Sequence, residues 1–133
     1  MCIRDRITER AHKNIPQIFA EHGESGFREI ESSVIKDVGM RTGVVIATGG
    51  GAVLREENYY SLKQNGIIIQ LNRKLDLLPT NGRPLSQNTD LNQMWKVRRP
   101  RYQRFADYVI TNDNMFTDTI DTVMEAYYEN IGH

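Results

Sequence analysis

Three groups of residues in this chain have the types and spacing to hold a small anion. The first is Gly49, Gly50 and Gly51, which follow Thr48 after the apolar run Val44, Val45, Ile46 and Ala47. Adjacent residues without Cβ cost backbone entropy, about 0.5–1 kcal/mol each relative to Ala in a regular element. A chain tolerates this where it needs positive φ or where another molecule approaches the backbone. In open α/β sheets that molecule sits beyond the carboxyl ends of the strands. The run therefore reads as a ligand-facing strand end or as a tight strand-to-helix turn. The second is Arg98, at i+7 from Leu91 and i+4 from Met94, on an apolar stripe with Trp95, Tyr102 and Phe105. A charge on a buried face needs an anion beside it. That anion is either a structural carboxylate or the carboxylate or phosphate of a ligand, gripped by the guanidinium fork. The third is Arg28 with Glu31, at i, i+3. It is either a solvated ion pair of small value or an arginine that faces the glycines and is oriented by Glu31.

A fourth arginine, Arg83, stands in Gly82-Arg83-Pro84-Leu85 within a stretch of turn formers. It is either a solvated loop residue or a lid arginine that closes over phosphates and stabilises developing charge. Other chemistries find less support. His12, His22 and His133 have no partner at metal-ligand spacing, so no metal site is expected. Cys2 lies too near a ragged start to serve as a nucleophile. No G-x-x-x-x-G-K-[ST] run occurs, hence no phosphate-cradling loop of that type. Arginines and a triple glycine, without a nucleophile or a metal cluster, suggest binding of a small anionic substrate.

The elements that must position these residues can be read from periodicity and caps. Asn14 is placed to cap a helix with Pro16 just inside, and Ile15, Ile18 and Phe19 share a face. His22-Gly23 punctuates, and a longer helix is expected over 24–38, with Phe27, Ile30, Val34 and Val38 as its stripe. Gly39 stops it. Residues 44–47 have the composition of a short strand buried on both faces. A short helix over 56–64, a second buried-type strand over 66–71 and a helical turn or two over 72–78 follow. The stretch 80–89 reads as a mobile loop. Asp90 caps a helix over 91–105, which Pro100 is expected to kink near Arg98. A third strand over 107–111 leads through Asn112-Asp113-Asn114 to a last helix. That helix is capped by Thr117 or Asp118, with Ile120, Val123, Met124, Tyr127 and Ile131 on one side. Strands alternating with helices predict an α/β fold with a parallel sheet flanked by helices.

The totals exclude several classes. At 133 residues the chain is one domain or a piece of one. Seventeen basic and seventeen acidic residues cancel, which argues for neither a nucleic-acid nor a membrane surface as partner. A single cysteine forms no intramolecular disulfide, consistent with a reducing compartment. No apolar run approaches the roughly 18 residues needed to span a membrane. A cytoplasmic monomer is the expectation.

At this point the residues carry a resemblance. Residues 15–31, IPQIFAEHGESGFREIE, resemble the I-x-x-I-F-x-x-x-G-E-x-x-F-R-x-x-E segment of the shikimate kinase family. Residues 45–53, VIATGGGAV, are similar to that family's strand and triple glycine. Arg83-Pro84-Leu85 resembles its lid R-P-L. Arg98-Arg99-Pro100-Arg101-Tyr102, followed by Ala106-Asp107, resembles its R-x-P-x-Y…A-D helix. The four motifs stand in the right order. Each alone is weak, and together they are specific.

The resemblance implies a P-loop α/β fold of the nucleoside monophosphate kinase type. It implies ATP-dependent phosphorylation of the 3-hydroxyl of shikimate, with Mg²⁺, in aromatic amino-acid and chorismate biosynthesis. By position, Arg28 and Arg98 would hold the shikimate carboxylate. Gly49, Gly50 and Gly51 would line the substrate pocket, with Gly50 donating a backbone N–H. Glu31 would hold Arg28, and Arg83 would reach the phosphates as the catalytic lid arginine. Asn112 and Asp113 would lie on the adenine side. The family's first strand and phosphate-binding loop have no counterpart in the sequence. The positions of its D-x-D pair fall on Cys2 and Arg4, so Asp5 is not equivalent to the catalytic aspartate. Residues 1–6 match nothing in the family pattern, which leaves 7–133 as the kinase-like domain. The expectation is an N-terminally truncated shikimate kinase, weakly active or inactive alone and marginally stable at its open sheet edges. The alternatives are a non-catalytic shikimate-binding module, a fragment of a fused enzyme of the same pathway, and a gluconate kinase of the same fold.

Overall fold

The computed structural model describes residues 1–73, 90–113 and 115–132. Two helices open the chain, α1 (Ile3–Ala11) and α2 (Ile15–Gly39). A 3₁₀ turn, Gly50–Leu54, leads into α3 (Glu56–Lys63). Strand β1 (Ile69–Asn72), helix α4 (Leu91–Phe105), strand β2 (Tyr108–Thr111) and helix α5 (Phe116–Ile131) complete the order.

The start of α2 follows from its cap. The Asn14 side chain accepts from Gln17 N at 2.9 Å, and the Gln17 side chain accepts from Asn14 N at 3.0 Å. This reciprocal pair satisfies two donors that the first turn otherwise leaves unpaired. Gly23, at φ 68°, interrupts the helical geometry where His22-Gly23 suggested a break. A residue with Cβ pays strain at that φ, and the two halves of α2 meet across it. Beyond the kink, Phe27, Val34 and Val38 are buried as the stripe requires. They join Ile3, Ile7, Ile15, Ile18, Ile35 and Ala52 in one core between α1, α2 and the glycine turn.

The sheet departs from expectation. Strands β1 and β2 pair in parallel, Ile69 with Tyr108 through Asn72 with Thr111. The pairing is shifted C-terminally from the expected 66–71. Residues 44–47 do not form a strand buried on both faces. They make a single parallel bridge, Cys2 with Ala47, and Val45 is 86% exposed. The physical reason is that a buried strand needs neighbours on both edges. Here Ala47 N donates to Met1 O at 2.8 Å and Ile3 N donates to Ala47 O at 2.9 Å. No second described strand pairs with the opposite edge.

The helix α4 runs from Leu91 to Phe105, with Asp90 accepting from Asn92 N at 2.9 Å as its cap. Pro100 lies inside and does not break it. The cap of α5 is Met115, not Thr117 or Asp118. The nearby Thr119 hydroxyl instead donates to the Asn112 side chain at 2.9 Å, tying the helix to the turn after β2. The expected apolar side of α5 is largely exposed. Ile120, Met124, Tyr127 and Ile131 face solvent, while Thr119 and Ala126 are buried. Of the expected helical turn over 72–78, Asn72 belongs to β1, and positions 74–78 lie outside the described residues.

Candidate functional site

The glycine run lies between α2 and α4, and each helix supplies an arginine to it. Phe27 anchors one face of α2 in the core, and one residue on, the buried Arg28 reaches the glycines. Arg28 Nη1 donates to Glu31 Oε1 at 2.8 Å, and Glu24 Oε1 lies 3.6 Å from Arg28 Nη2. Both members of the Arg28–Glu31 pair are buried, so this is not the solvated surface pair that spacing left open. The Arg28 Nε is buried without an acceptor among the described residues. The guanidinium lies so close to the Gly51 backbone that a Cβ there would come within 2.5 Å of Cζ and closer still to both Nη atoms. Glycine at 51 is therefore a condition of the arginine's position. On the same side, a Cβ at Gly49 would lie 3.7 Å from Glu31 Oε2.

From the other side, α4 places Arg98 and Tyr102 one turn apart. A Cβ at Gly50 would lie 3.4 Å from Arg98 Nη1 and 2.8 Å from the Tyr102 hydroxyl. Arg98 is half-buried, on the less exposed face of α4 with Leu91, Met94, Trp95 and Tyr102. No carboxylate of the described residues lies within ion-pair distance of it. Charge is thus unevenly balanced around the turn. Arg28 is neutralised by Glu31, while Arg98 has no compensating carboxylate among the described residues, an arrangement that suits an anionic ligand.

Three side chains also grip the turn through its carbonyls. The Tyr102 hydroxyl donates to Gly50 O at 2.8 Å, Asn58 Nδ2 to Ala52 O at 2.9 Å, and Arg101 Nη1 to Leu54 O at 3.2 Å. Sequence reasoning assigned none of these contacts. Tyr102 was visible only as a member of the apolar stripe and as the last residue of the R-x-P-x-Y pattern, and nothing marked Asn58.

The structure therefore brings Arg28, Glu31, Gly49, Gly50, Gly51 and Arg98 together. It does not add Asn112 and Asp113 to that cluster. Asn112 sits in the turn after β2, with its N–H on Asn72 O at 2.7 Å and its side chain on Thr119. Arg83 lies outside the described residues. The cluster's donor set fits an anion such as a carboxylate. It does not fit a divalent cation, because the carboxylates beside Arg28, Glu24 and Glu31, both face its guanidinium. Among the described residues no group of three or more His, Cys, Asp or Glu is placed to hold a metal. Among the described residues no helix is long and apolar enough to cross a membrane.

Comparison with known proteins identifies the family. The model of the shikimate kinase family matches residues 4–129. The chain is 43% identical over 113 residues to a shikimate kinase of Burkholderia lata, covering 78% of this chain and 61% of that protein. It is 40% identical over 117 residues to one of Hahella chejuensis, covering 81% and 61%. The chain thus spans about three-fifths of the length of these relatives. Among solved structures, the shikimate kinase of Acinetobacter baumannii in complex with shikimate superposes with a TM-score of 0.85 at 30% identity. That match covers 97% of this chain and 78% of the other. The enzyme of Aquifex aeolicus gives 0.81 at 26% identity, covering 98% and 80%. The matches extend across both arginine-bearing helices and the glycine turn between them, and the chain belongs to the shikimate kinase family.

Proposed function

We propose that this chain binds shikimate by its carboxylate between Arg28 and Arg98 and seats the ring against Gly49, Gly50 and Gly51. In this reading it is the acceptor-binding part of an enzyme that phosphorylates the shikimate 3-hydroxyl with ATP. The observation that carries the proposal is the convergence of two arginines, from separate helices, on one side-chain-free turn. One of them is paired with a buried glutamate and the other has no carboxylate partner among the described residues. Two guanidinium groups supply enough directional donors to orient a planar carboxylate. Glu31 holds Arg28 in place before the ligand arrives, so little ordering remains to be done on binding. The glycines let a small polyol approach the backbone and use its N–H groups.

Phosphoryl transfer depends on positioning and on neutralising charge, with little covalent chemistry left to the protein. The residues described here serve the first need by fixing the acceptor. ATP and Mg²⁺, which the family reaction uses, supply the phosphoryl group and its charge neutralisation. The arginine–glycine cluster does not itself hold Mg²⁺.

The test is titration of shikimate into the 133-residue chain by isothermal calorimetry, with Arg98→Ala in parallel. The expected result is saturable binding that weakens at least about tenfold in the variant, the scale of one charge-assisted hydrogen bond or more. Circular dichroism should be unchanged, since Arg98 is half-buried and anchors no described ion pair. Absence of binding by the native chain, or equal affinity in both, refutes the proposal.

A further inference from the structure

A groove separate from the glycine turn lies between α4 and the two-stranded sheet. Its wall is one row of α4, Trp95, Arg99 and Gln103, at i, i+4 and i+8. Its floor is the face of the sheet that carries Gln70, Asn72 and Val109. The parallel register sets Gln70 beside Val109, and Asn72 follows on the same face. The space is about 450 Å³, within the range of small-molecule sites. Arg28, Arg98 and the three glycines do not line it, and neither do Asn112 and Asp113.

Two polar groups of this lining have no partner among the described residues. Gln70 Oε1 is buried and accepts no hydrogen bond. Burial of an acceptor without a donor is costly, and a ligand can supply the missing donor. The Arg99 side chain forms no ion pair or hydrogen bond. Its neighbours on α4 are engaged, Arg101 with Leu54 O and Arg104 with Glu56. An exposed arginine without a carboxylate is ordinary by itself. Here it lines the same groove as the orphan acceptor. The third element is Trp95, half-buried and fixed against the Tyr102 ring, with centroids 5.7 Å apart and planes tilted by 31°. With Val109 it gives the groove apolar surface. A cation, a buried acceptor and a flat apolar surface together complement a ligand with an anionic group, a hydrogen-bond donor and a ring.

We propose that this groove is a second ligand site, which takes a small aromatic carboxylate carrying a hydrogen-bond donor on its ring. Arg99 holds the carboxylate through its guanidinium fork. The ring lies against Trp95 and Val109, and the donor meets Gln70 Oε1. A ligand without a donor leaves the Gln70 acceptor unpaired, and a cationic ligand meets Arg99 as a like charge. The site goes beyond the shikimate-binding reading and shares no residue with it.

Trp95 is the single tryptophan of the sequence, so its indole N–H gives one resonance in ¹H–¹⁵N spectra and reports on the groove directly. Three acids are titrated into the 133-residue chain: 3-hydroxybenzoate and 4-hydroxybenzoate, which carry the donor at two distances from the carboxylate, and benzoate, which has none. The expected result is a saturable shift of the Trp95 indole resonance, with at least one hydroxybenzoate binding about threefold to tenfold more tightly than benzoate, the scale of one hydrogen bond. Arg99→Ala should weaken all three acids by at least about tenfold. Gln70→Leu should remove the advantage of the hydroxyl and leave benzoate within about twofold. Arg98→Ala should leave all three within about twofold, because Arg98 faces the glycines. No saturable shift up to about 10 mM acid overturns the proposal, as does unchanged affinity in Arg99→Ala. Hydroxybenzoates that bind no better than benzoate, or an advantage that survives Gln70→Leu, overturn the role of Gln70 and with it the ligand class. A loss in Arg98→Ala equal to that in Arg99→Ala places the acids at the glycine turn and overturns the second site. Shikimate is absent from every titration, so failure of shikimate binding leaves this test standing.

Discussion

Replacing Gly51 by Ala tests the geometry of the site most directly. The added Cβ would lie 2.5 Å from Arg28 Cζ and closer to both Nη atoms. Ordinary carbon contacts begin near about 3.5 Å, so the guanidinium must retreat by roughly 1 Å or more. It has little room to do so, because the Arg28 side chain is only 9% exposed and is bonded to Glu31 at 2.8 Å. Moving it weakens a charge-assisted bond between buried groups, worth about 1.5–3 kcal/mol, in addition to an overpacking cost of about 1–3 kcal/mol. The expected loss of stability is about 2–4 kcal/mol by urea denaturation, partial relaxation bringing the sum below its upper limit. Shikimate affinity should fall by at least about tenfold, because Arg28 no longer faces the ligand. Gly49→Ala is the matched control. Its Cβ would meet only Glu31 Oε2, at 3.7 Å, and its φ of −72° suits any residue. That change should be neutral or stabilising by up to about 1 kcal/mol through the unfolded chain. Equal stability for the two variants, or a Gly51→Ala protein that binds shikimate normally, would refute the placement of Arg28 against the turn.

Two further predictions concern the frame rather than the site. Asn14→Ala removes the side-chain acceptor of the capping box on α2, while the bond from its backbone N–H to the Gln17 side chain can persist, and should cost about 1 kcal/mol, read as a lower urea midpoint with an unchanged slope. Glu21, bonded to Lys13, should titrate below the usual carboxylate range, because that hydrogen bond and the Lys13 and His22 charges favour its ionised form. The folded value lies below the unfolded one, so the pair's stabilisation is present at neutral pH and is lost as pH falls through the lowered value. A ¹³C-detected carboxylate titration should show the low midpoint, and Lys13→Ala should return it to the ordinary range. An unchanged midpoint in that variant would show that Lys13 is not the cause.

The parts of the fold legible in the sequence are those governed by neighbours a few residues apart. The Asn14 cap, the break at Gly23, the Asp90 cap and the full extent of α4 depend on local chemistry, and each stands where it was expected. Failures occur where the outcome depends on distant chain. Residues 44–47 have the composition of a buried strand, yet burial requires two paired edges and covered faces; the run is bonded along one edge to Met1–Ile3, and Val45 is 86% exposed. The apolar side of α5 was read correctly as a pattern, but no described element covers it, so the pattern did not become a core.

The same division applies to the site. Residue type and spacing alone determined that Arg98 shares a helix face with apolar residues, that three glycines end an apolar run, and that Arg28 has a carboxylate one turn away. These are consequences of helical periodicity and of glycine's missing side chain. Only tertiary structure decided that the Arg28–Glu31 pair is buried, that Arg98 has no such carboxylate partner among the described residues, and that both arginines meet at Gly50 and Gly51. The Tyr102–Gly50 bond makes the reason plain. A hydrogen bond across 52 residues leaves no periodic trace in sequence, because its geometry is set by the packing of α4 against the turn and not by either residue's neighbours.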